Sequence, residues 1–232
     1  MRSPFLRGAL SGAAAGLLAA TVAFFALEPV LREAIALEGG TDDGLVSRSV
    51  QERLGAPIGF VLTGVAFGLV LAAVDRGVRP GGSPWTRSLV LAGALFTAVV
   101  AVPQLRYPPN PPGVGDPETI GDRTGMFLLA VALGIAVVGL VLTTLRRMHD
   151  AHELTPGRQV AVVAGGLAVV ALAWVLLPGS SDPGDVPAAL VWDFRIRSLG
   201  VSALLWAALG ATYGALALRA AGSREQRTAV AA

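Results

Sequence analysis

Glu28, Asp116, Glu118, Asp122 and Asp193 are the side chains whose type and position best suit the holding of a cation. Glu28 is the acid at the very end of an apolar run, directly before Pro29. A carboxylate at that depth is costly without a partner, which makes it a candidate gate or ligand; a water-exposed acid at an interface is the alternative. Asp116, Glu118 and Asp122 follow the proline-rich string of RYPPNPPGVGDPETIGDRT, residues 106–124. Each proline fixes its own backbone and pushes the preceding residue out of the helical region, so the string is a stiff strut. Stiffness lowers the entropy lost when the acids beyond it are held at a site. The same segment also reads as a rigid solvated connector in which Asp122 or Thr124 caps the next helix. In WDFRIRSLG, Asp193 can pair with Arg195 or Arg197, as part of a site or as an ordinary ion pair. His149 and His152, spaced i, i+3 in MHDAHE, would bring two imidazoles toward one metal if the segment is helical, and are solvated loop residues otherwise.

The elements that must position these groups belong to a membrane. The 232 residues are 53% hydrophobic and 15% charged, with a mean hydropathy of +0.64, which is outside the range of a soluble domain. Six apolar stretches of membrane length stand out, at about 8–27, 55–74, 86–102, 125–145, 160–177 and 199–218. The third is short, so it is either a short span or a re-entrant piece; Trp85, placed as an interfacial anchor, favours a span. The first resembles a signal peptide, but its apolar region is long and AFFALEP offers no small-x-small cleavage site, so it is expected to remain as a helix. One polytopic domain over 1–220 and a flexible tail over 221–232 are expected.

Charge orients the spans. All eighteen basic residues are arginines, and eleven of them fall at the N-terminus, the 75–87 and 146–159 loops and the C-terminal tail. The opposite loops hold seven arginines and most of the acids. The arginine excess places both termini in the cytoplasm, and therefore residues 106–124 on the outside of a bacterial inner membrane. A pI of 9.9 does not point to nucleic acid, since the arginines are scattered singly beside apolar runs.

A regular spacing accompanies this layout. Pro29, Pro103 and Pro178 follow the odd spans, and Arg53, Arg123 and Arg197 each precede a glycine at the start of an even one. Either these are the ordinary residues of helix ends or the chain is three helical hairpins in a parallel repeat. After the first span, Val30, Leu31, Ala34, Ile35 and Leu37 alternate with Arg32 and Glu33 in the pattern of a helix lying on the membrane surface.

The interiors of the spans offer no acid, base or histidine, only hydroxyls such as Ser11, Thr21, Thr63, Thr97 and Tyr213 and many glycines. Gly8, Gly12 and Gly16, four apart, suit close helix packing. A proton-coupled pump needs an intramembrane relay, and a nucleotide-driven one needs a phosphate-binding loop; neither pattern is found. No nucleophile and base converge, so an enzyme is not expected. The absence of cysteine excludes thiolate sites and disulfides.

RGALSGAAAGLLAA with ALEPVLREAIALE, then PPNPPGVGDPETIG, then WDFRIRSLG leading into LLWAALGATYGAL resembles the CbtA family of probable cobalt transporter subunits over nearly the whole chain. The resemblance implies an integral membrane subunit for cobalt(II), with no permanently bound cofactor, acting with CbtB, a small single-span protein bearing a histidine-rich end. It carries over no metal ligand. Oxygen ligands alone favour hard ions and discriminate cobalt poorly, so imidazoles from such a partner would supply what the outer acids lack. The expectation is an all-helical, six-span protein serving divalent metal uptake. A non-transporting membrane scaffold is the alternative, and a dry glycine-packed bundle would favour it.

Overall fold

The computed structural model describes residues 3–37, 50–77, 82–111, 114, 117–179 and 186–231, and among them every regular element is helical. In chain order these are α1 (Pro4–Ala26), α2 (Glu28–Leu37), a π turn (Gln51–Gly55), α3 (Ala56–Gly77), α4 (Pro84–Phe96), a second π turn (Thr97–Ala101), α5 (Val102–Arg106), a short 3-10 turn (Pro117–Thr119), α6 (Ile120–Asp150), α7 (Pro156–Leu176) and α8 (Ala188–Ala231). Among the described residues six helical runs are long and apolar enough to cross a membrane: Pro4–Ala26, Arg53–Gly77, Pro84–Arg106, Ile120–Asp150, Pro156–Leu176 and Ala188–Ser223.

The odd spans start with one device. Ser3 precedes Pro4, Ser83 precedes Pro84 and Thr155 precedes Pro156. The hydroxyls accept from the backbone N–H groups of Leu6 at 3.1 Å, Trp85 at 3.2 Å and Arg158 at 3.4 Å. A hydroxyl satisfies one orphan donor of the first turn while proline, which has no N–H to lose, presets the helical φ.

Proline also explains the breaks. The third span is one 23-residue run rather than a short or re-entrant piece, because it passes Pro103 through a π turn in which the Val102 N–H donates to the Thr97 carbonyl. A proline ring clashes with the carbonyl four residues back, and one wider turn moves that carbonyl aside. Pro57 follows the other π turn in the same way, two residues after Gly55. At Pro29 the chain interrupts instead: α1 closes on Leu27, whose N–H donates to the Ala23 carbonyl at 2.7 Å, and α2 begins at Glu28.

The chain separates into two compact units, one of residues 1–93, 111–113 and 187–232, the other of residues 94–110 and 114–186. The division falls inside the third span, and it puts α7 in the second unit and α8 in the first. In the first unit α1 and α3 run antiparallel with Gly8 against Gly68, Gly12 against Gly64 and Gly16 against Phe60, and a Cβ on any of these three α1 glycines would overlap the backbone of α3. The glycine spacing thus does what it suggests: lipid tails give apolar side chains no reason to meet, so close backbone approach supplies the packing. α8 joins this pair, with Trp206 stacked on Phe67 at 4.8 Å and Gly210 and Gly214 set on Ala92, Ser88 and Trp85 of α4. α2 buries Glu28, Val30 and Ala34 and exposes Arg32, Glu33 and Leu37.

In the second unit Val102, Val137 and Val170 form the core, with Leu133, Val141 and Trp174 packed on it. Arg106 donates to the Leu177 carbonyl at 2.5 Å and the Tyr107 hydroxyl to the Pro178 carbonyl at 3.0 Å. These bonds satisfy carbonyls at the end of α7 that have no amide partner, and the guanidinium suits the negative end of the helix dipole.

Candidate functional site

Glu28 is 6% exposed, the one acid among the buried polar side chains of the described residues, the others being Ser11 and Ser88. Its burial follows from the break at Leu27. Had α1 continued unbroken, the next turn would have carried the carboxylate on along the same axis; the interruption instead makes it the first residue of α2, where the positive end of the helix dipole favours an anion. Glu28 borders a cleft of about 50 Å³ whose other walls include Ala20, Ala23, Phe24, Leu31 and Phe60. The surroundings are apolar, so the carboxylate's interactions are strengthened by the low dielectric, and Arg32 one turn on stands 3.6 Å away. Arg32 itself is 60% exposed, so the pair is open to water on the arginine side.

Arg197 of α8 fixes the adjoining backbone. It donates to the Ala26 carbonyl at 2.9 Å and to Asp193 at 3.0 Å, joining the end of α1 to α8 across 171 residues of sequence. Asp193 is therefore paired with Arg197, one helical turn away, and 53% exposed. Glu28 and Asp193 lie in the same unit and are linked through this guanidinium and the Ala26 carbonyl.

The other expected ligands are placed differently. Glu118 and Asp122 are exposed, the first in the 3-10 turn and the second in the opening turn of α6, and both belong to the second unit. Asp116 lies outside the described residues. His149 and His152 do not share a helix face, because α6 ends at Asp150. His152 has φ 56°, its N–H donates to the His149 carbonyl at 3.0 Å and that of Glu153 to the Met148 carbonyl at 2.8 Å. That is a Schellman termination with histidine where glycine is usual. Among the described residues no three His, Asp or Glu side chains converge.

A second polar cluster was not foreseen. Asp75, in the last turn of α3, accepts from Arg87 Nε at 2.6 Å and from the Tyr213 hydroxyl at 3.0 Å, and its side chain is 10% exposed. The Arg7 guanidinium lies 5.7 Å from the Tyr213 ring centroid. By hydropathy Asp75 belongs to a loop, because the second span fades at residue 74, and Tyr213 is one intramembrane hydroxyl among several. The signal that could have found them is the register: four residues at the same end of their spans, one acid with two arginines and a tyrosine.

Neither the curated proteins nor the solved structures give a match to this chain. A match to a protein family spans residues 1–218, which takes in the first five spans and most of the sixth. With six apolar spans and a buried carboxylate at the break after the first helix already in view, that match completes the assignment: the chain belongs to the CbtA family, described as a probable cobalt transporter subunit.

Proposed function

We propose that this chain is the membrane subunit through which cobalt(II) enters a bacterial cell across the inner membrane, with Glu28 as its first buried ligand on the outer side. The carrying observation is the burial of that carboxylate in an apolar cleft at the break between α1 and α2. Both termini face the cytoplasm in this reading, as the distribution of arginines requires. Asp116, Glu118, Asp122 and Asp193 then stand on the outer face with Glu28 and raise the local concentration of divalent cations before one is committed. A carboxylate alone selects poorly for cobalt, so imidazoles come from a small single-span subunit of the CbtB kind. Membrane potential is a sufficient driving force: a divalent cation moving inward gains about 4.6 kcal/mol per 100 mV, roughly three decades of accumulation.

The test is reconstitution. Proteoliposomes holding this chain, with and without the single-span subunit, are given an inside-negative potassium diffusion potential, and radiolabelled cobalt is followed inward. Uptake that collapses with the potential and is little affected by excess magnesium is expected. One observation favours the scaffold reading: the contact between α1 and α3 is closed backbone to backbone. If cobalt stays outside under every condition while the protein is folded and inserted, the scaffold reading stands.

A further inference from the structure

We propose that Arg7, Asp75, Arg87 and Tyr213 form a charged lock that holds one end of the first unit shut and opens when cobalt passes. The purpose rests on the transport reading; the lock itself does not need cobalt to be tested.

The four residues belong to α1, α3, α4 and α8, so every helical span or part-span of that unit contributes one. Both carboxylate oxygens of Asp75 are engaged, Oδ1 by Arg87 and Oδ2 by Tyr213. Tyr213 is 0% exposed, and the Asp75 and Arg87 side chains are 10% and 22% exposed, so these bonds are largely shielded from competing water. Asp75 and Tyr213 are 138 residues apart, and their bond cannot survive a parting of α3 from α8. The surfaces just beneath are smooth: Gly8 meets Gly68, and neither carries a side chain that could interlock. The polar cluster therefore supplies directional bonds at this end that the glycine contact between α1 and α3 lacks.

Charge argues for a closure rather than a binding site. Arg87 holds the Asp75 carboxylate and the Arg7 guanidinium lies over the Tyr213 ring, so the cluster carries two positive charges to one negative, which repels a divalent cation. A cation can pass only when the cluster has moved apart.

The chain has no cysteine, so single cysteines report accessibility without background. Ser11 and Ser88, each 1% exposed, lie beneath the lock on α1 and α4; Ala19, 0% exposed, lies two turns farther along α1 and serves as the distant control. The full chain is placed in lipid nanodiscs, where both faces meet solvent, and labelled with a charged methanethiosulfonate without cobalt. Asp75→Asn is expected to raise the labelling rate of Ser11→Cys and Ser88→Cys by about tenfold, the population shift that follows loss of one charge-assisted hydrogen bond, and to leave Ala19→Cys unchanged. Tyr213→Phe, which keeps the ring and loses one bond, is expected to raise the same two rates by a smaller factor. Unchanged rates at both positions would overturn the lock, as would an equal rise at Ala19→Cys, since that is general loosening. A positive result in a chain that moves no cobalt would refute the transport reading and leave the lock standing.

Discussion

Gly12→Ala adds one methyl group to a chain of 232 residues, and the packing of α1 on α3 predicts a measurable loss of stability. The added Cβ would stand 2.6 Å from the Gly64 carbonyl carbon and 2.9 Å from the Val65 Cα. Carbon atoms prefer about 3.5–4.0 Å, so the shortfall is roughly 1 Å, and it is met by backbone rather than by a side chain that can rotate away. The two helices must separate, and because helices move as rigid bodies the contacts of Gly8 on Gly68 and Gly16 on Phe60 loosen as well. Overpacking of this kind costs about 1–3 kcal/mol, which for a chain of this size lowers Tm by about 3–10 °C. The control is Gly139→Ala in α6, where an added Cβ meets nothing within 4 Å. There the better helix propensity of alanine should leave Tm unchanged or raise it by an amount corresponding to about 0.5–1 kcal/mol. Thermal unfolding of both variants in the same detergent, followed by circular dichroism, makes the comparison. The packing argument fails if Gly12→Ala melts with the native chain, or if Gly139→Ala falls as far.

Other outcomes follow from single side chains. Arg106→Met removes the donor to the Leu177 carbonyl at the end of α7 and should cost about 1–3 kcal/mol, read as a lower Tm. His152→Gly should raise stability by about 1 kcal/mol, since φ 56° strains any residue with a Cβ, and a Tm at or below that of the native chain would argue against the Schellman geometry. Arg197→Met should lower Tm and also slow cobalt uptake, because it releases both the Ala26 carbonyl next to Glu28 and Asp193; lost stability with unchanged uptake would separate Arg197 from the site.

The spans were legible in the sequence because hydropathy is a local property: six runs of sufficient length are enough, and the long third helix differs only in continuing through Pro103. The glycines of α1 were equally plain, since spacing by four on one helix needs no knowledge of the partner. The partner itself, Gly64 and Gly68 of α3, required the antiparallel register. α2 came out as an amphipathic helix from its pattern, although Leu37 faces outward at 56% exposure. The polar cluster at Asp75 was not legible. Its members are separated by 12 and 138 residues, and a hydropathy boundary one residue short of Asp75 placed the acid in a loop. Glu28 was singled out because an acid at the end of a span is costly, and its burial agrees with that argument. The role of Arg197 in holding the Ala26 carbonyl had no sequence signal, because a backbone acceptor is invisible in the residue types.

The most direct measurement is uptake of radiolabelled cobalt into cobalt-starved cells that lack other cobalt importers, comparing the native chain with Glu28→Gln at equal amounts in the membrane, each with the single-span subunit. Glutamine keeps the size and loses the charge, so the account predicts uptake for the native chain and a loss of about tenfold or more for the variant, with Tm within a few degrees of native. Equal uptake by the two chains would remove Glu28 from the path, and no uptake by either would contradict the transport of cobalt by this protein.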